Sequence, residues 1–339
     1  MSTHLILLAA GEGSRMLSDR AKVLHEIGSA PLFAHALRAA GDMIDGRKVM
    51  VVGHDGGNVA KAAEAIDPDI LIAEQVEQLG TAHAVFAASK ALEGLKGDAL
   101  VLYGDTPFIR PETLSAMTAA RKAGTDIVVL GFEAADPGRY GRLVTEGDTL
   151  LKIVEWKDAT EAERAIRLCN SGVVLADIGV LFDLAGSVGN GNAAGEYYLT
   201  DIVGIGRERD LKARVVTCDE AETLGINTRT ELAHAEAIFQ TTARQALLDA
   251  GVTLASPETV VLALDTQIGR DAVIEPNVVF GPGVTVESGA RIRAFSHLEG
   301  CHVGAGAIVG PYARLRPGAE LSNNVRIGNF VEIKNAEIG

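Results

Sequence analysis

A chain of 339 residues with 47% hydrophobic and 22% charged residues is long enough for two domains with full cores, and this composition excludes a disordered protein. Its formal net charge of -14 excludes a non-specific nucleic-acid binder, which needs a basic face to displace counterions. No apolar stretch reaches membrane-spanning length, no basic region precedes an apolar signal core, and Cys169, Cys218 and Cys301 are scattered without metal-ligand spacing, so the expectation is a cytoplasmic protein with reduced thiols and no membrane partner.

The first predicted strand, 6–9, lies in residues 5–25, LILLAAGEGSRMLSDRAKVLH, and reads as buried on both faces. It runs into a turn where Gly11 and Gly13 let the backbone bend sharply and bring its N–H groups close to an anion. A dinucleotide fingerprint needs a third glycine where Met16 stands, and a P-loop needs a Gly-Lys-Ser/Thr ending that is missing. A lone glycine turn after a strand is ordinarily a tight connection. The spaced cations Arg15 and Lys22 point instead to a triphosphate cradle.

Short apolar runs at 49–52, 70–73, 99–103 and 127–132 then alternate with alanine-rich helical segments, the pattern of a layered α/β domain. Gln75 and Gln78, with Gly80 and Thr81, follow the 70–73 strand, where amides can read a nucleobase edge; such glutamines are otherwise plain solvated surface. Asp105 follows the 99–103 strand. An exposed carboxylate there suits magnesium, and equally suits a turn cap. A helix is expected over 111–122, started by Pro111 and ended by Gly124, with Leu114 and Met117 on its apolar face. Glu155 and Asn170 can hydrogen-bond sugar hydroxyls or an acetamido group, and Gly141 lets a ring lie against backbone. Asn227 can give a second oxygen to a metal, though helix capping is the ordinary role for Asn at that place.

A longer helix over 230–249 presents Leu232, Ala235, Ile238, Phe239, Ala243 and Leu247 on one side, and Gly251 ends it. From Leu262 an aliphatic or aromatic residue returns every six positions through Ile268, Ile274, Phe280, Val286, Ile292 and Leu298. The register slips by one and resumes as Val303, Val309, Leu315, Leu321, Ile327 and Ile333, then slips again to Ile338. That period predicts a left-handed parallel β-helix with the repeated residue inward. Because the pattern is still running at Ile338, the expectation is a truncated solenoid whose last coil has an open edge.

Taken in order, LLAAGEGSRM with KVLH, QVEQLGTAHA, LYGDTP, YGRLV, IVEWKDA, NSG, GEYYLTD, GINTR, YARLRPGAEL and IGNFVEIKNA resemble the sugar-nucleotidyltransferases over essentially the whole chain. The resemblance is closest to the bacterial family of bifunctional UDP-N-acetylglucosamine pyrophosphorylases that are also glucosamine-1-phosphate acetyltransferases. Ala21 departs from the usual Pro before KVLH, and Ser14 from the usual Thr.

The resemblance implies a Rossmann-like α/β nucleotidyltransferase domain over 1–229, a linking helix over 230–251, and over 252–339 the N-terminal coils of an incomplete hexapeptide-repeat left-handed β-helix. It implies that UTP and N-acetylglucosamine 1-phosphate yield UDP-N-acetylglucosamine and pyrophosphate by in-line displacement, with no protein nucleophile. Arg15 and Lys22 would be catalytic. Leu8, Ala9, Ala10, Gly11, Gln75, Gln78, Gly80 and Thr81 would bind UTP; Tyr103, Gly141, Glu155, Asn170 and Thr200 would bind the sugar; Asp105 and Asn227 would hold Mg2+. Arg316 and Lys334 match part of an acetyltransferase site that uses acetyl-CoA in full-length relatives and is incomplete here, in a homotrimer. Two other readings stay open: a pyrophosphorylase for another sugar or nucleotide, and a non-catalytic trimeric scaffold.

Overall fold

The N-terminal apolar run becomes a strand, Thr3–Ala9, that is buried along its whole length. In the computed structural model, which describes residues 2–11, 13–53 and 56–339, this strand lies inside a nine-stranded sheet. Glu12 of the glycine turn lies outside the described residues. The spatial order is Leu71–Gln75, Lys48–Gly53, Thr3–Ala9, Asp98–Tyr103, Leu168–Asp177, Ile127–Glu133, Ala213–Cys218, Thr149–Val154 and Arg142–Glu146. The first four strands are mutually parallel. Leu168–Asp177 then runs antiparallel to both its neighbours, so the sheet is mixed and its Rossmann-like part is confined to those four strands.

Alternation along the central strands explains why they read as continuous apolar runs. Ile6, Leu8, Val49, Val51 and Val101 enter one core shared with the helices Thr81–Ala87, Ile178–Ser187 and Asp201–Glu208. Leu5, Leu7, Met50 and Leu100 point to the other face and are equally buried. The helix Pro111–Lys122 has the bounds that its proline and its Leu114–Met117 face require, and Gly124 follows the cap with φ at 95°.

The chain divides into two units: Met1–His25 with Leu32–Asn227, and Glu26–Pro31 with Thr228–Gly339. A boundary read at 229 misses the excursion of Glu26–Pro31. No local pattern marks it, because it is held by distant partners: the Gly28 amide donates to Glu236 Oε2 at 2.8 Å, and the Leu264 amide donates to the Gly28 carbonyl at 2.7 Å.

Within the second unit the long helix spans Arg229–Asp249 and begins with a capping box. The Thr228 hydroxyl accepts from the Glu231 amide, and the Glu231 carboxylate accepts from the Thr228 amide. The cap is therefore Thr228 rather than Asn227. Gln240, a buried polar residue in the helix middle, donates to the Leu262 carbonyl at 2.7 Å and accepts from the Leu262 amide at 3.0 Å, which ties the helix to the first hexad.

The hexads form three stacks of short parallel strands. Val273 pairs with Arg291 eighteen residues on, and Arg291 with Ile308 seventeen on, so the one-residue slip is absorbed as a shorter coil without loss of pairing. Ile274, Phe280, Val286, Ile292, Leu298, Val303, Val309, Leu315 and Leu321 are all at most 1% exposed, as the period requires, whereas Ile268 and Ile338 are only half-buried. A second inward position, two residues earlier, is filled by Ala272, Ala290, Ala307, Ala313 and Ala319, which fit where the coil turns tightly. Leu298→Ala should lower stability by about 3 kcal/mol in a denaturant titration, since the stacked coils above and below cannot collapse into the space. Val261→Ala, on an outward residue that is 40% exposed, should stay within about 0.5 kcal/mol.

Candidate active site

The parallel strands bring their carboxyl ends to one edge. Leu8 pairs with Tyr103, Ala9 with Val52, and Gly53 with Gln75, so the loops that follow open side by side. An open α/β sheet binds ligands at such an edge, where the strand order changes direction. Ala10, Gly11, Gln78 and Asp105 all lie there.

Gly13 has a left-handed φ of 63°, and a Cβ on it would stand 2.5 Å from the Lys22 Cβ. Only glycine therefore allows the turn to close over the lysine stem. Met16, buried, anchors the short Ser14–Met16 turn, while Arg15 is exposed and makes no hydrogen bond or ion pair among the described residues. Lys22 opens a second short turn, Lys22–Leu24, pinned by buried Val23 and Leu24. Its ammonium donates to an Asp105 carboxylate oxygen and, at 3.2 Å, to Asn227 Oδ1. Asn227 is brought there by the Ile226 amide, which donates to the Asp105 carbonyl at 3.0 Å, and is oriented by its own Nδ2, which donates to the Gly225 carbonyl at 3.2 Å. The expectation of an exposed Asp105 does not hold. Its side chain is only 20% exposed and is ion-paired.

Two hard oxygens that converge on one cation suit magnesium, which keeps waters and takes its remaining ligands from substrate phosphates. Among the described residues no group of three or more His, Cys, Asp or Glu could hold a metal without such help.

The two glutamines tie backbone. Gln75 is the last strand residue rather than a loop residue, is 4% exposed, and donates to the Gly80 carbonyl at 3.0 Å while reaching His83 Nδ1 at 3.1 Å. Gln78, exposed, donates to the Ala10 carbonyl at 2.6 Å and so spans two strand-end loops. Gly80 has φ at 121°, and a Cβ there would lie 2.5 Å from the Tyr197 carbonyl oxygen. Thr81 accepts from the Leu199 amide at 2.9 Å, and the Tyr197 amide donates to Leu79. Residues 79–82 are thus zipped to the GEYYLTD segment, a link that separate motifs do not announce.

Behind this edge is a cavity of about 210 Å³ whose lining includes Thr81, Tyr103, Glu155, Asn170, Leu199 and Thr200. The Thr200 hydroxyl donates to Glu155 Oε1 at 3.2 Å, and Asn170 Oδ1 accepts from the Gly172 amide at 3.0 Å. Gly141 lies against both: a Cβ on it would stand 3.4 Å from Glu155 Oε1 and 3.5 Å from the Asn170 Cβ. Tyr103, Glu155, Asn170 and Thr200, distant in the chain, thus line one cavity, and Gly141 backs Glu155 and Asn170. Burial pushes the Glu155 carboxyl above its ordinary pKa, against the Thr200 hydrogen bond that lowers it, with the Asp201, Asp158 and Glu196 charges adding to the rise. Burial, then the Asp105 and Glu155 charges, push the Tyr103 hydroxyl up.

On the β-helix the Arg316 amide donates to the Ile333 carbonyl at 2.8 Å, which places Arg316 beside Lys334 on the next coil. Arg316 is held at 2.9 Å by Glu332. Arg142 of the YGRLV segment is 2% exposed, and nothing in its flanking residues signals this burial.

Residues 5–170 match the MobA-like NTP transferase domain family, and residues 265–300 match the bacterial transferase hexapeptide (six repeats) family. Proteins of Roseobacter denitrificans and Ruegeria pomeroyi named bifunctional protein GlmU are 62% and 65% identical over 100% and 99% of this chain, which covers 75% and 74% of their lengths. The chain belongs to the GlmU family. It spans between 66% and 75% of the length of the curated relatives it matches. A solved UDP-glucose pyrophosphorylase complexed with UDP-glucose is 19% identical, covers 71% of this chain and all of its own, and superposes with a TM-score of 0.57. The inositol-1-phosphate CTP transferase from T. maritima, at 16% identity, covers 69% of this chain and 94% of its own with a TM-score of 0.55. These two share the fold. As a GlmU-family member the chain is a sugar nucleotidyltransferase.

The raised pKa of Glu155 has a stability consequence. Folding favours the protonated carboxyl, so that contribution is complete below the unfolded value near 4.5 and is lost as pH rises through the folded value. Glu155→Gln should therefore melt above the wild type at pH 8 and lose that advantage at pH 4. Equal melting differences at both values would remove burial as the cause.

Proposed function

We propose that the chain transfers a uridylyl group from UTP to N-acetylglucosamine 1-phosphate, releasing pyrophosphate and forming UDP-N-acetylglucosamine. One observation carries this reading: Asp105, the carboxylate that pairs with Lys22, is two residues from Tyr103, which lines the cavity shared with Glu155, Asn170 and Thr200. A sugar in that cavity has its phosphate beside the place where cations gather.

The sugar-phosphate oxygen attacks the α-phosphorus, the bond to the bridging oxygen of the β-phosphate breaks, and pyrophosphate departs with the bond pair. Positioning and charge stabilisation suffice, because both reactants are anions and the attacking oxygen is already ionised. Lys22 leaves Asp105 and Asn227 and turns its ammonium to the triphosphate, and Arg15, exposed on the glycine turn, meets the phosphates from the other side. Asp105 and Asn227, once relieved of the ammonium, would hold Mg2+, which would supply charge neutralisation to the phosphates. Leu8, Ala9, Ala10 and Gly11 give the nucleotide a backbone floor, and Gln75, Gln78, Gly80 and Thr81 shape the loop against which uracil is read. Glu155 accepts from sugar hydroxyls, Asn170 meets the acetamido group, and Thr200 orients Glu155.

The β-helix, built of hexapeptide coils, is read as the trimerisation domain. Arg316 and Lys334 are the side chains there that suit the acetyl-transfer site of longer relatives, with Arg316 drawn toward Glu332. A nucleoside triphosphate substrate suits a reaction in the cytoplasm.

Pyrophosphate release measured across the four nucleoside triphosphates and several sugar 1-phosphates tests the reading, with UTP and N-acetylglucosamine 1-phosphate expected to be the best pair. A preference for another pair would sink it. Asp105→Asn, which keeps an acceptor but removes the counter-charge for Lys22, should cost roughly 100-fold or more in turnover and lower the melting temperature while circular dichroism shows the fold retained. Lys22→Met should tighten nucleotide-free Mn2+ binding, read by electron paramagnetic resonance, by roughly tenfold, since the resident ammonium no longer competes. Unchanged or weaker Mn2+ binding would show that Lys22 does not occupy the metal position.

A further inference from the structure

Arg142 carries a buried cation without a counterion. It is 2% exposed, and among the described residues no carboxylate lies within ion-pair distance of it. Its guanidinium spends its protons on backbone carbonyls: Nη1 donates to Pro137 at 3.2 Å and to Tyr140, Nη2 to Gly138 at 3.0 Å, and Nε to Arg164 at 3.3 Å. Burying an ion without an opposite charge costs several kcal/mol, so a shell of carbonyl dipoles this complete is retained only where it fixes something. What it fixes is the 137–140 turn, and the next residue in the chain is Gly141, which lies against Glu155 and Asn170.

The fourth carbonyl extends the reach of this shell. Arg164, whose carbonyl Arg142 holds, donates from its own Nε to the Trp156 carbonyl at 3.3 Å and lies 4.6 Å above the Trp156 ring. Arg139, on the turn that Arg142 fastens, covers that ring at 5.6 Å. Trp156 directly follows Glu155. A single guanidinium thus fastens the Gly141 side of the cavity through the turn before it, and the Glu155 side through Arg164 and Trp156.

We propose that Arg142 is a positioning residue for sugar recognition, one that sets the distance between Gly141 and Glu155 without touching substrate. This rests on the reading of the cavity as the sugar site. Lysine cannot replace it, because one ammonium offers three donors in a tetrahedral array where a planar fork meets four carbonyls.

Steady-state kinetics of Arg142→Lys and Arg142→Ala in the full chain test this. KM for N-acetylglucosamine 1-phosphate should rise by roughly tenfold or more while KM for UTP stays within about twofold, because misplacement is confined to the sugar cavity. Millimolar guanidinium should restore part of the loss in Arg142→Ala and leave the wild type unaffected. Arg164→Ala keeps the backbone carbonyl and removes an exposed side chain, so it should fold even if Arg142→Ala does not, and should raise the same KM in the same direction. Parallel rises in both KM values, or lowered melting with an unchanged sugar KM, would overturn the role of Arg142. A wild type that releases no pyrophosphate with any sugar 1-phosphate would overturn the function itself, and this role with it.

Discussion

The Lys22 ammonium, shared between the Asp105 carboxylate and Asn227 Oδ1, gathers three parts of the chain, two of them 83 and 205 residues from the lysine. A mostly buried charge must be paired or relocated, and here the pairing holds the glycine turn, the tip of the fourth parallel strand and the end of the first unit around one point. The same constraint gives the site its chemistry. A protein of net charge -14 that handles a triphosphate has to concentrate its cations locally, and in the proposed reaction Lys22 is held until then against the oxygens of Asp105 and Asn227.

Around that point the loops are stiffened by backbone contacts more than by side-chain display. Gln75 and Gln78 clasp Gly80 and Ala10, Gly80 admits the Tyr197 backbone, and Thr81 holds Leu199. Each of these residues looks on its sequence like a ligand reader. In the fold each instead ties backbone to backbone, and that keeps the strand-end loops and the cavity behind them in a set relation.

The second unit obeys a simpler rule. One aliphatic in six faces inward, alanine fills the second inward position, and a seventeen-residue coil takes up the slip in register without breaking a pairing. Gln240 and the Gly28 turn attach the long helix and the Glu26–Pro31 segment within this unit by hydrogen bonds between side chains and backbone, which carry no apolar periodicity to announce them.

Period and punctuation were legible in the chain. The doubly buried first strand, the helix from Pro111 to Lys122 and the hexad ladder follow from apolar spacing and glycine placement, because those are local properties. Pairing over long separations was not. That Asp105 is ion-paired instead of exposed, that Thr228 and not Asn227 caps the helix, that Glu26–Pro31 joins the second unit, and that Arg142 sits unpaired by charge among carbonyls were decided only by the tertiary structure. A buried polar group takes whichever partner the fold brings near, and that partner is fixed by the packing of distant segments, of which the neighbouring residues keep no record.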